Sequence, residues 1–353
     1  MGEKTMCTVC MWANNTKACL SSRNMDWLEP MPSSIWVMPR GAKRFAGPAG
    51  AENVLEWTSK YGSFALVNYG IGTSDGLNEK GLAASVLWLA ESDYGARDKS
   101  LPSLGIADWA QYYLDNFETV KEAVAAFETQ PYQVVPTMVA GRPTTLHLHI
   151  SDATGDCAVF EWVDGDLTIY HSPNYAVMTN SPLFSEQIKL IKQYVGFGGD
   201  EPLPGSTEAA ARFVRAAYYV KDLPQPGSHR EALAELLSVL RNVAQPFGVP
   251  DPTRPNVSPT RWRTLRDHSN VRYYYESSVN PFPIWLDGMY VDFSETAEPQ
   301  VLHLENLGEL VGELSSHLER HPMPQFEYAD PDAEPVAELG SAKVKVVEPA
   351  DAK

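Results

Sequence analysis

Side chains alternate through residues 144–180. In TTLHLHIS, CAVFEWV and LTIYHS nearly every second position is apolar, and Asp164-Gly165 separates the last two runs. A period of two is the pattern of a strand with one buried face. An Asp-Gly step between two such runs predicts a tight hairpin. SSIWVMPRG (33–41), GSFALVNYG (62–70) and SDGLNEKGLAASVLWLAES (74–92) also read as strands, the last opening on a turn at Asp75-Gly76 with a second glycine at 81. Ile106, Trp109, Ala110, Tyr113, Leu114, Phe117 and Val120 recur at helical spacing, which predicts a long helix over 103–129 capped by Ser103. Further helices are expected over 184–194, 207–220 and 229–243, followed by strands in RWRTLRD, VRYYYESS and PFPIWLD. Elements that come in blocks of one kind predict an α+β layered fold rather than a parallel doubly wound sheet. No internal stretch reads as a linker. One domain is expected over 7–328, with a mobile tail rich in Asp, Glu, Pro, Ala and Lys over 329–353.

The chain has 353 residues, 44% of them hydrophobic, which suffices for a large core. Its 45 acidic and 28 basic side chains leave a net charge of -17. Such a surface repels phosphate backbones and anionic bilayers, so neither nucleic acid nor membrane is expected as a partner. No apolar run approaches the roughly 20 residues of a spanning helix. MGEKTM at the start has no apolar h-region, so the chain as given is expected in the cytoplasm, or in the periplasm if a signal peptide has been removed.

MCTVCMWANNTKACLSSRNMDW (6–27) holds Cys7, Cys10 and Cys19, three of the four cysteines. Three chemistries compete for it. A structural zinc would need four ligands, and the only near substitute for a second pair is His147-Leu-His149. A redox pair at Cys7-x-x-Cys10 would need a helix opening at Cys10, and the surrounding text is strand-like. The third reading is an N-terminal nucleophile. Were residues 1–6 removed, Cys7 would carry an α-amine of pKa about 7.7–8.0, a competent base near neutrality. Arg23 would favour the thiolate and Asp26 would orient the amine. Neither metal nor cofactor is expected.

MCT followed by SRNMDW, with Arg23 and Asp26 placed after Cys7, resembles the choloylglycine hydrolase family of bile salt hydrolases and penicillin V acylases. The resemblance continues in DGLNEKGLAASVLWL (75–89), VMTNSP (177–182), ARFVRAAY (211–218), TRWRTLRDHSNVRYYYES (260–277) and IWLD (284–287). It implies a four-layer αββα sandwich of the N-terminal nucleophile hydrolase type, acting without a cofactor on a small-molecule N-acyl amide. In that frame Cys7 is nucleophile and, through its amine, base, with Arg23 and Asp26 as neighbours. Asn180 donates to the oxyanion hole and Arg212 holds the charge network. A homotetramer is also implied.

Two departures stand out. Trp88 occupies the oxyanion-hole position where bile salt hydrolases carry Asn and Gram-positive penicillin V acylases carry Tyr, so the second donor is either a backbone N–H or the indole N–H. Trp27 and Trp88 together resemble the Gram-negative branch and are expected to contact substrate. Their rings would favour phenoxyacetyl or fatty acyl groups over a flat steroid. Penicillin V is the leading substrate expected, then N-acyl homoserine lactones, with conjugated bile salts as the alternative. A non-catalytic binding protein with the same fold is the reading from another class. The second departure is the leader over 1–6, which is expected to be released by Cys7 itself.

Overall fold

The computed structural model describes residues 6–47, 52–139, 142–248, 258–280, 282–324, 326 and 344–347. Strands β1 (Met6–Trp12) and β2 (Leu20–Asp26) form an antiparallel hairpin in the register Cys7↔Met25 and Val9↔Arg23. Asn15 closes the connection, its Oδ1 accepting from the N–H groups of Lys17 and Ala18 at 3.0 and 2.9 Å, the local bonding that makes asparagine a turn residue. This hairpin lies within a seven-stranded sheet ordered Val177–Met178, β1, β2, Thr260–Asp267, Arg272–Ser277, Ile284–Asp287, Gly312–Glu313. A second, ten-stranded sheet runs Glu319–Arg320, Gln300–His303, Ser33–Met38, Ser63–Asn68, Gly72–Asn78, Ala83–Trp88, Leu146–Ser151, Cys157–Val163, Asp166–His171, Val344–Val347. The alternating run at 144–180 supplies three neighbours of this sheet, and Asp164 and Gly165 both take positive φ (52° and 81°) in the hairpin turn.

Helices close the outer faces. α1 (Trp109–Asn116) and α2 (Val120–Thr129) pack on the second sheet. After the short α3 (Phe184–Leu190), α4 (Ala209–Asp222) and α5 (His229–Asn242) pack over β1 and β2 of the first. The layers are helix, sheet, sheet, helix. Ala209, Phe213, Ala216 and Val220 form the buried stripe of α4, and Arg212 lies buried beside them. A large apolar side chain gains about 1.5–3 kcal/mol from such burial. A guanidinium in the same place is costly unless its charge and donors are met. Its presence on the core face therefore marks a special site.

Two elements differ from the expectation. The 103–129 pattern is not one helix: Ser103–Gly105 is a short strand parallel to Gln133–Val135. The helix breaks before Val120, where Thr119 Oγ1 accepts from the Glu122 N–H at 3.2 Å and caps a new N-terminus. The apolar period crosses the break because α1 and α2 bury against the same sheet. Asp75-Gly76 is not a turn but lies inside the strand Gly72–Asn78; the chain reverses around Lys80 and Gly81, with Asn78 Oδ1 accepting from the N–H groups of Lys80 and Leu82. A Cβ at Gly76 would sit 2.6 Å from the Phe64 carbonyl oxygen, so close packing and not a turn requires glycine there.

Residues 1–5 of the expected leader lie outside the described residues, and Met6 opens β1. Of the expected tail, Val344–Val347 are described, as an edge strand parallel to Leu167–Tyr170. Among the described residues no helix is long and apolar enough to cross a membrane.

Candidate active site

Strand alternation sorts the hairpin side chains. Cys7 and Val9 share a face with their partners Met25 and Arg23, looking toward the second sheet; Thr8, Asn24 and Asp26 look the other way, toward α4 and α5. Cys7 and Cys10, three apart on one strand, therefore point to opposite faces. The Cys7 sulfur lies 3.6 Å from Met25 Sδ and 4.0 Å from Arg23 Nη2.

Arg23 is held from three sides. Nη1 donates to the Ser74 carbonyl, the guanidinium lies 5.3 Å from the Trp262 ring centroid, and Asp75 Oδ1 is 3.9 Å away. Ser74 is the extra residue of a β-bulge: Leu66 pairs with Asp75 and Val67 with Thr73, leaving Ser74 unpaired. A bulge re-aims the groups it carries, and here its carbonyl turns to Arg23. Asp75, fully buried, also accepts from Arg266, Ser85, Thr264 and Tyr273.

The same strand makes the pocket. Its ladder with Ala83–Trp88 pairs Leu77↔Ala83, Gly76↔Ala84 and Asp75↔Ser85, then stops. Gly72, Thr73 and Ser74 on one strand and Val86 and Trp88 on the other line a cavity of about 140 Å³ in front of Cys7. The Leu89 N–H donates to Thr145 O, so alternation turns the N–H and C=O groups of Val86 and Trp88 toward this gap. Trp27 and Trp88, half-buried with ring centroids 6.4 Å apart, stand at its lining with Met31 and Tyr69. Tyr69 pins the facing loop, its hydroxyl donating to Pro30 O at 2.9 Å and its N–H to Pro32 O at 2.8 Å. A larger cleft of about 1030 Å³ lies between α5 and the strands Thr260–Asp267, Arg272–Ser277 and Ile284–Asp287, and contains none of the expected site residues.

Behind Cys7, Arg212 binds its backbone. Nη1 donates to Cys7 O at 2.6 Å and to Thr8 Oγ1, Nη2 donates to Asn180 Oδ1 at 3.2 Å, and Asp26 Oδ2 is 3.6 Å from the guanidinium. The Cys7 N–H also donates to Asn180 Oδ1. Two donors on one oxygen fix the orientation of the Asn180 amide, and its Nδ2 donates to Trp88 O at 2.6 Å. Cys7, Arg23, Asp26, Asn180 and Arg212 thus form one cluster, with Trp27 and Trp88 in front.

Residues 7–289 match the sequence profile of the linear amide C–N hydrolases of the choloylglycine hydrolase family. The chain belongs to that family. It is 43% identical over 296 residues to a penicillin V acylase of Pectobacterium atrosepticum, covering 78% of each chain. It is 27% identical over 306 residues to a bile salt hydrolase/transferase of Clostridium perfringens, covering 78% of this chain and 90% of that one. The structure of penicillin V acylase from Agrobacterium tumefaciens superposes with a TM-score of 0.83 at 41% identity, covering 91% of this chain and all of that one. The αββα architecture of this choloylglycine-family hydrolase is that of its relatives.

In this hydrolase burial pushes the Cys7 thiol up, against the opposing pull of the Arg23 cation. The sulfur therefore rests as a thiol, and only loss of its proton would make it a nucleophile. Burial also raises the Asp26 carboxyl from 3.8 to about 6, outweighing the nearby Arg212 cation and the hydrogen bond from Thr260. That shift carries a prediction with opposite signs for two measurements. In the chain as folded here Asp26 protonates below about pH 6 and loses its charge interaction with Arg212, so its own contribution to the acid side of the kcat/KM profile should be absent from Asp26→Asn. Stability should change the other way. A carboxyl raised in the folded state binds its proton before the unfolded chain does, so its contribution is fully present below 3.8 and is lost as pH rises through about 6. Denaturant titrations of wild type and Asp26→Asn across this range isolate the effect; pH profiles identical in the two proteins would show that Asp26 does not contribute.

The sequence reading missed Ser74 and Asp75 as the support of Arg23, Thr8 as a partner of Arg212, and Met25 beside the sulfur. Asp75 reads in the sequence only as half of a turn with Gly76 and as part of a family motif. A carboxylate among small and polar neighbours, Thr73, Ser74 and Gly76, carries no local signal of burial.

Proposed function

We propose that this hydrolase cleaves N-acyl amides with Cys7 as nucleophile, penicillin V being the leading substrate. The observation that carries the reading is the double anchoring of Cys7, whose backbone is held by Asn180 and Arg212 while its sulfur faces the cavity. In the chain as folded here, the Cys7 nitrogen is the peptide N–H of the Met6–Cys7 bond. It stands in for the α-amine that release of the leader would free. Asp26 lies directly opposite Met6 in the ladder, so the new amine would emerge beside its carboxylate.

The amine takes the thiol proton, and the thiolate attacks the amide carbonyl carbon. The oxyanion accepts from the second hydrogen of Asn180 Nδ2 and from the Trp88 backbone N–H, which alternation turns into the gap. This favours the backbone over the indole as second donor. The tetrahedral intermediate collapses as the leaving amine takes the proton, giving a thioester. Water, deprotonated by the Cys7 amine, then releases the acid and restores the thiol.

The cavity favours one ring or one acyl chain. At about 140 Å³ it is near the size that holds a single benzene ring. Its walls are Met25, Met31, Ile71, Val86, Ile106 and Leu146. Phenoxyacetyl and fatty acyl groups fit that description better than a steroid. N-acyl homoserine lactones come second and conjugated bile salts third.

Purified protein should be weighed intact and assayed with penicillin V, a long-chain acyl homoserine lactone and glycodeoxycholate. The expected result is a chain lacking residues 1–6 that hydrolyses the first two faster than the third. A full-length chain in a fully active preparation would sink the leader proposal, and faster cleavage of glycodeoxycholate would sink the substrate ranking. The homotetramer belongs to the same proposal. Phe282, Met289, Tyr290 and Val311, each more than half exposed, flank the edge strands of the first sheet, as an oligomer contact would require. Sedimentation equilibrium would test it.

A further inference from the structure

Asn180 follows the two-residue strand Val177–Met178 at the edge of the first sheet, and its segment turns at once toward α3. So short a strand fixes little, and Pro182 has no N–H to give. The segment is instead tied by a buried side chain. Gln187, on α3 and fully buried, donates from Nε2 to Asn180 O and to Pro182 O, each at 2.6 Å. Two carbonyl acceptors require the nitrogen to face them, and the opposite Oε1 shares the Thr179 hydroxyl hydrogen, at 2.9 Å, with Ala209 O at 3.0 Å. The start of α3 is tied in turn to the second sheet: both Glu161 carboxylate oxygens accept from the Phe184 N–H at 3.1 Å, and His147 Nδ1 lies 3.0 Å from Glu161 Oε1.

We infer that Gln187 is a positioning residue for the reaction, setting where the Asn180 amide meets the developing oxyanion. The inference rests on the role proposed above for Asn180. Gln187 lies outside the lining of the cavity and bonds to the backbone of Asn180, so it acts through that backbone. The His147 imidazole belongs to this support through Glu161, which gives that motif a use other than metal binding.

Gln187→Met keeps length and bulk and removes both donors. With penicillin V as substrate and Cys7 freed, kcat should fall about 30-fold or more with KM within about threefold, because a misplaced donor weakens the transition state more than the ground state. Alkylation of Cys7 by iodoacetamide should stay within about twofold of wild type. In Gln187→Glu only the protonated carboxyl can donate, so its kcat relative to wild type should recover as pH falls from about 8 to about 5. Thr179→Val, which removes the donor to Gln187 Oε1 and loosens the amide, should show the same split at smaller size and serves if Gln187→Met does not fold. A kcat within about threefold of wild type, an equal loss in alkylation, or a deficit that disappears when referred to the folded fraction would each overturn the inference. A wild-type enzyme without Cys7-dependent hydrolysis would overturn it together with the proposed function, whereas an active wild type with an unaffected Gln187→Met overturns it alone.

Discussion

Cys7→Ala should lose hydrolysis of penicillin V by about four orders of magnitude or more while keeping its fold. The size follows from what remains. Without the sulfur no thioester forms, and oxyanion donors with substrate binding alone leave only a small fraction of the rate in enzymes that act through covalent intermediates. The fold should survive because the anchors of residue 7 are backbone groups: its N–H meets Asn180 and its carbonyl meets Arg212, whatever the side chain. Loss of the buried sulfur costs on the order of 1 kcal/mol, against a typical domain stability of about 5–15 kcal/mol. The variant should also retain residues 1–6, since the sulfur proposed to release them is gone. Intact mass, melting temperature and turnover together give the answer. An alanine variant still turning over within about tenfold of wild type would mean that another group is the nucleophile. Cys7→Ser adds the other contrast: a binding protein would keep its affinity unchanged in both variants, whereas the enzyme loses its chemistry.

The hairpin that carries Cys7 was legible in the sequence because its parts are local. Arg23 and Asp26 lie within 20 residues of Cys7, and period-two alternation already separates the faces on which they sit. Asn180 and Arg212 were legible only through resemblance. Nothing near Asn180 announces that its amide will meet a strand 173 residues earlier. Arg212 gave a fainter sign, a charge on the apolar stripe of a helix. The support of Arg23 was illegible for the same reason of distance: Asp75 meets Arg266 across 191 residues, through two sheets whose stacking no local pattern specifies. Asp75-Gly76 also imitated a turn, because glycine serves equally for a sharp bend and for close packing beneath a neighbouring strand. The break before α2 was hidden because both helices bury the same face, so periodicity ran on where a single threonine cap had started a new helix.

Asn180→Ala should lower kcat by about 10²–10³, equivalent to roughly 2.7–4 kcal/mol of barrier, with a much smaller change in KM. Its side chain has two jobs that a second substitution can separate. The oxygen accepts from the Cys7 nitrogen and Arg212, and the nitrogen donates to Trp88 O and, in the proposed reaction, to the oxyanion. Alanine removes both and leaves buried groups without partners, so some loss of stability, about 1–3 kcal/mol, should accompany it. Asn180→Asp keeps the acceptors for Cys7 and Arg212 but has no donor, and its carboxylate would repel the developing negative charge. Aspartate should therefore be as slow as alanine or slower, while melting closer to wild type. If the oxygen were the important half, because its role was only to place Cys7, aspartate would recover most of the activity. The Trp88 N–H, supplied by backbone, is present in all three proteins, and in the proposed reaction it would account for the turnover left in the two variants. A pair of variants both within about tenfold of wild type would show that the oxyanion is held elsewhere, and would turn attention to the remaining gap-facing N–H, that of Val86.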